Sequence, residues 1–188
     1  MPKFTKTLIA AAWLSVSLQA YAAERELIYT YAGVIGGAGF NRITYNDWFY
    51  VYSGTKKISG HYFSGGAVLY LVSKYLIGDI GIQYMYNRND STLQHLFFTV
   101  SGKFGYTFAE LFTIATGPGM YLEAPVSGGK FKGGAGVRVP LAFMFNTNFD
   151  SRIFIEGSFM YGWYGMGEKS TKMSYGLNLG FIYKVGRI

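Results

Sequence analysis

The feature that most constrains this chain is an alternation of apolar and small or polar residues over segments of about ten positions, repeated along much of its length. In Asp79 to Tyr86, Ile80, Ile82, Tyr84 and Tyr86 share one face and Asp79, Gly81, Gln83 and Met85 the other. From His95 to Tyr106, Leu96, Phe98, Val100, Phe104 and Tyr106 oppose His95, Thr99, Ser101 and Lys103. Gly136 to Phe145, Arg152 to Trp163 and Ser174 to Val185 repeat the pattern. Period two is the signature of a strand with two unlike faces. In these five segments every charged residue falls on the face opposite the large apolar ones.

A soluble antiparallel sheet also alternates, but it turns a richly charged face to water. Here Gly, Ser, Thr and Ala recur on the polar face, with only one or two charges per segment. Only 14% of the chain is charged and 19% is aromatic, with 26 glycines and 17 tyrosines, against about a quarter charged in an average protein. Beyond the N-terminal apolar stretch there is no apolar run of 18 residues, so no membrane-crossing helix is available. A chain this apolar can cross hydrocarbon only as a closed barrel. Fainter strands are expected at Leu27 to Gly36, with Leu27, Tyr29, Tyr31 and Ile35 outward, and at Tyr62 to Lys74 and Leu111 to Met120, where either face could be the outer one.

Connectors alternate in length. Short ones fall near Lys74–Gly78, Thr107–Glu110 and Asn146–Asp150, and longer ones at Asn41–Gly60, Asn87–Gln94, Tyr121–Gly134 and Gly165–Lys172. Bacterial barrels have short periplasmic turns and longer outer loops. Both ends of the barrel segment then lie on the turn side, which requires an even number of strands. The count is eight. The expected fold class is all-β, a transmembrane antiparallel up-and-down barrel of about eight strands.

The first residues point to export. Lys3 and Lys6 precede an apolar stretch from Leu8 to Leu18 and then the small-residue site Ala20-Tyr21-Ala22, the pattern of a secretory signal peptide. The stretch is shorter than the 20 or so residues that a spanning helix needs. Residues 1–22 are read as signal and 23–188 as one barrel domain destined for a bacterial outer membrane. With no cysteine in the chain, a lipid-anchored lipoprotein, disulfides and zinc–thiolate sites are excluded.

From Leu27 to Val185 the chain resembles the small outer-membrane barrels of the OmpX, Opa and OmpA-transmembrane-domain kind. The most specific part is the last strand, Gly180-Phe181-Ile182-Tyr183-Lys184-Val185; Gly65-Gly66-Ala67-Val68-Leu69-Tyr70 is similar to a second strand of that family. The resemblance implies that Gly180, Phe181, Tyr183 and Val185 form the C-terminal signal read by the barrel assembly machinery. Val185 stands where members usually end on an aromatic residue, and Gly186-Arg187-Ile188 trails beyond it. No peptidoglycan-binding domain is expected after the last strand. Such a likeness speaks to fold and leaves function open.

An eight-stranded interior is just wide enough for side chains to fill, and charges within it must pair. Hairpin register suggests two pairs, Asp79 with Lys103 and Arg138 with Glu156. They brace a plug or line an ion path. The outer connectors carry Arg42, Lys56, Lys57, Arg88, Lys130, Lys132, Lys169 and Lys172 against Asp47, Asp90, Glu123 and Glu168. Such a basic rim suits lipopolysaccharide-type lipid phosphates or a polyanionic host surface, or is ordinary solvated loop charge. Ile43 to Tyr52, with Trp48, Phe49 and Tyr50, is too aromatic for a solvated loop. It reads as a protruding sheet or as part of an outer girdle. Tyr106, Phe145, Trp163 and Tyr183 fit girdle positions at strand ends.

Catalysis finds little footing. His61 and His95 fall near the outer rim, but Ser64 is three residues from His61 and so on the opposite face of a strand. The glycine runs Gly36-Gly37-Ala38-Gly39, Gly128-Gly129-Lys130 and Gly133-Gly134-Ala135-Gly136 lack the Lys-Ser/Thr and helix of a phosphate loop and mark bends and loops instead. No catalytic, metal or cofactor-binding residue is assigned, and no nucleic-acid partner is expected. The expectation is a non-enzymatic barrel that mounts surface loops for adhesion, surface interaction or envelope stability. The alternatives are a narrow channel for small or hydrophobic solutes and an outer-rim lipid-modifying enzyme.

Overall fold

The computed structural model describes residues 27–47, 54–87, 94–126, 133–148, 150–164 and 170–187. The signal segment, Trp48, Phe49 and Tyr50, and Arg88, Asp90, Lys130, Lys132, Glu168 and Lys169 lie outside them.

Among the described residues, nine antiparallel strands make one sheet: β1 (Tyr29–Asp47), β2 (Gly54–Val72), β3 (Leu76–Asn87), β4 (His95–Phe108), β5 (Phe112–Thr116), β6 (Gly119–Pro125), β7 (Gly134–Asn146), β8 (Ser151–Tyr164) and β9 (Thr171–Arg187). β1 pairs with both β2 and β9, so the sheet closes on itself. β5 and β6 lie end to end in one crossing, each paired to β4 and to β7 in a single continuous register. The wall therefore has the eight crossings expected.

The break between β5 and β6 has a plain cause. Pro118 has no amide hydrogen to give the ladder, and Pro140 on β7 lacks one too. Two substitutes hold the seam: Thr116 Oγ1 donates to the Pro140 carbonyl at 2.8 Å, and the Gly102 amide donates to the Pro118 carbonyl at 3.1 Å.

Facing follows the alternation on β3, β4, β7, β8 and β9, where Ile80, Phe98, Val139, Ile155 and Leu179 are exposed on the outside. A closed wall turns such residues outward only where the surroundings are apolar. Tyr106, Phe145, Trp163 and Tyr183 are exposed on the same outer surface. On β1 the expected facing is reversed. Tyr31 and Ile35 are buried inside, while Val34 and Phe40 are exposed. The reason is an apolar plug at the turn end, built from Tyr31, Ile35, Val68, Tyr70, Val72, Ile77, Met144, Phe154 and Ile182, with Tyr29 packed against it. Both faces of β1 are apolar there, so hydrophobicity alone cannot choose between them. β2 resolves with Phe63, Leu69 and Leu71 outward and Tyr62, Val68 and Tyr70 inward.

Some connectors are shorter than the sequence suggests. β1 and β2 pair without interruption from Tyr29↔Val72 to Asp47↔Gly54, so most of Asn41–Gly60 is strand. Gly36 to Gly39 sit within β1 rather than at a bend. Gly39 faces inward beneath the Tyr62 ring, which would overlap a Cβ there. At the turn end, Asn148 Oδ1 accepts the Asp150 and Ser151 amides, an Asx turn that fixes the β7–β8 hairpin. Phe108, Phe112 and Phe145 stack in a row on the outside near that end, with centroids 4.9 and 6.2 Å apart.

Candidate functional site

Among the described residues the interior holds two buried charged groups separated by an aromatic layer. The deeper one gathers side chains from four strands. Asp79 on β3 sits opposite Ser101 on β4, whose hydroxyl donates to it. Lys103, two residues further along β4, reaches diagonally back and sets Nζ 2.9 Å from Asp79 Oδ2. Arg138 on β7 bonds Glu156 on β8. These two pairs join across the lumen: Lys103 Nζ lies 2.5 Å from Glu156 Oε2, and Arg138 Nη1 lies 3.6 Å from Asp79 Oδ1. Two carboxylates and two cations alternate around the cluster, so its formal charge is zero. Lys103 also stands 4.9 Å from the centre of the Tyr70 ring, a cation–π contact on the apolar plug below.

Sequence register suggests each pair across its own hairpin. It misses the joining of the two, because β4 and β8, or β3 and β7, are not sheet neighbours. Only closure of the barrel brings them face to face.

Above this cluster lie Tyr62, Met85, Phe97, Tyr121 and Met160, with Phe97 and Tyr121 stacked at 5.3 Å. Asn41 Nδ2 donates to Met85 Sδ at 3.9 Å, tying this layer to the mouth. Next comes the second charged group. Lys172 on β9 bonds Glu123 on β6, and His95 Nε2 on β4 lies 3.4 Å from Glu123 Oε1. All three are buried inside the wall. This corrects the expectation that Glu123 and Lys172 belong to a solvated outer rim. Both follow strand parity to the inward face, Glu123 beside Tyr121 and Lys172 beside Ser174. The signal lies in their even spacing from Tyr121 and Ser174, once the strands are known to run that far.

Of the remaining rim cations, Arg42 and Lys57 are exposed. His61 points outward against Phe40, with ring centroids 5.5 Å apart, whereas His95 points inward. The two histidines therefore share no face. In the last strand Phe181, Tyr183 and Val185 are exposed on the outer wall, and Gly180 lies inward where a Cβ would overlap the Phe154 ring.

No family model matches the chain, and no curated protein matches it. Solved structures do. Neisserial surface protein A (NspA) aligns over 83% of this chain and 97% of its own, with a TM-score of 0.54 at 13% identity. Ail of Yersinia pestis aligns over 84% and 99% with a TM-score of 0.39 at 12% identity. OprG of Pseudomonas aeruginosa aligns over 84% and 96% with a TM-score of 0.44 at 11% identity. At these identities the likeness speaks to fold. The likeness to NspA, taken with the closed eight-crossing wall and its apolar exterior, makes this the fold of the small outer-membrane β-barrels.

Proposed function

We propose that this chain is a non-enzymatic integral protein of a bacterial outer membrane, whose solid barrel mounts surface loops for adhesion, surface interaction or envelope stability. One observation carries the reading: the lumen is filled in layers by an apolar plug, the Asp79–Lys103–Arg138–Glu156 cluster, an aromatic layer and the Glu123–Lys172–His95 group. Eight strands leave room for side chains and little else. A filled interior favours a mount over a conduit, and the surface-protein name of NspA agrees with loops as the working part.

In this reading residues 1–22 direct export, lipopolysaccharide-type lipids surround the barrel, and Gly180, Phe181, Tyr183 and Val185 are read by the assembly machinery. The exposed Phe181, Tyr183 and Val185 form an apolar stripe suited to that recognition. Planar-bilayer conductance and liposome swelling of the refolded protein test the plug: no reproducible conductance and no sugar-driven swelling are expected. A clear, reproducible pore overturns it.

A further inference from the structure

On the outside of the wall, where β9, β1 and β2 run side by side, the surface dips into an apolar groove of about 610 Å³. Its floor is made of small residues, Ala38, Gly39 and Gly176, and its sides of Phe40, Phe63 and Leu177. The surface changes character abruptly above it. Phe40 pairs across the sheet with His61 and Tyr175. Two residues further toward the loop end, Arg42 faces outward between Ser59 and Met173; two further still, Thr44 lies beside Lys57. Arg42 and Lys57 are both exposed. Strand rise places Arg42 roughly 7 Å beyond Phe40 along β1. An apolar slot on the lipid-facing side, capped at its outer end by two cations, has the polarity of an anionic lipid lying along the wall.

We propose that this groove is a specific site for a net-anionic, phosphate-bearing lipid of the outer leaflet, one acyl chain lying over Ala38 and Gly39 and the anionic headgroup held by Arg42 and Lys57. The inference rests on the outer-membrane reading above and adds to it a site and a headgroup chemistry. Zwitterionic lipids offer the same chains but no net charge for the two cations to hold. The loop end is also where an outer-leaflet headgroup sits if long loops face outward.

The test is native mass spectrometry of the full barrel, refolded in detergent and titrated with phosphatidylglycerol or phosphatidylcholine of identical chains. Heat-modifiable gel mobility is checked first, so that a failure of the barrel itself is seen separately. With two basic side chains at the headgroup, retention of phosphatidylglycerol at concentrations on the order of ten-fold lower is expected. The double variant Arg42→Gln/Lys57→Gln changes only exposed side chains and is expected to erase that preference. Ala38→Trp fills the groove and is expected to weaken both lipids, whereas Val139→Trp on the lipid-facing side of β7 leaves the preference in place. Equal retention of the two lipids by the wild-type barrel, or a preference that survives the double variant, overturns the proposal. A dimer in detergent that Ala38→Trp dissociates assigns the groove to a second copy of the chain and overturns it too.

Discussion

At the turn end the interior is packed with Tyr31, Val72, Ile77, Met144, Phe154 and Ile182, with Arg152 against the Tyr31 ring, and a four-membered neutral cluster lies above them. Read inward from the mouth, the order is reversed: Glu123, Lys172 and His95 come first and the aromatic layer lies beneath them. The deep cluster has two cations for two carboxylates and reaches across the lumen to bind four strands. The upper group links three strands around one carboxylate. The same rule governs both, since an unpaired buried ion is costly. What differs is how far the pairing reaches, across the lumen through two carboxylates in the deep cluster and around a single one in the upper group.

That difference can be broken by mutation. Glu156→Ala leaves both Lys103 and Arg138 short of a partner and is expected to cost about 3–5 kcal/mol, read by urea unfolding in lipid bilayers. Adding Lys103→Met should recover part of the loss; a further loss would contradict the shared cluster. Gly180→Val drives a side chain into the Phe154 ring and should cost about 2–3 kcal/mol, with partial rescue by Phe154→Ala. Glu123→Gln keeps the shape of the upper group but removes the carboxylate that Lys172 and His95 share. A smaller cost of about 1–2 kcal/mol is expected, and parity with Glu156→Ala would show the two groups to be equivalent. The smallest effect belongs to the β4–β5 turn, where Ala109 and Glu110 adopt positive φ of 46° and 60°. Glu110→Gly relieves one of them and should gain about 0.5–1 kcal/mol, visible as a modest rise in melting temperature.

The wall is legible in the sequence because lipid enforces a sharp alternation. Strands such as Asp79 to Tyr86 carry charge on one face and isoleucine or tyrosine on the other, and only one facing is tolerable. The plug is not legible for the opposite reason: at Tyr31 and Ile35 an apolar interior meets an apolar exterior, and parity loses its contrast. Of the charged interior, the Asp79–Lys103 and Arg138–Glu156 pairs can be read because each spans a single hairpin. The upper group cannot, since Glu123 and Lys172 meet only after the chain has closed into a ring. Their positions near glycine-rich connectors give them the look of solvated loop charges.

The uninterrupted β1–β2 ladder has a consequence for reach. On β1 the outward apolar surface ends near Phe40, yet pairing continues to Asp47 and Gly54. Five residues of strand beyond Arg42 amount to roughly 17 Å of ribbon at the usual rise. If the loop end faces outward as proposed, whatever meets the far end of that ribbon does so at a standoff from the wall, on a stalk held in register by backbone hydrogen bonds rather than on a slack tether. Such a stalk presents its tip within a narrow range of heights and orientations, which lowers the entropy lost on capture.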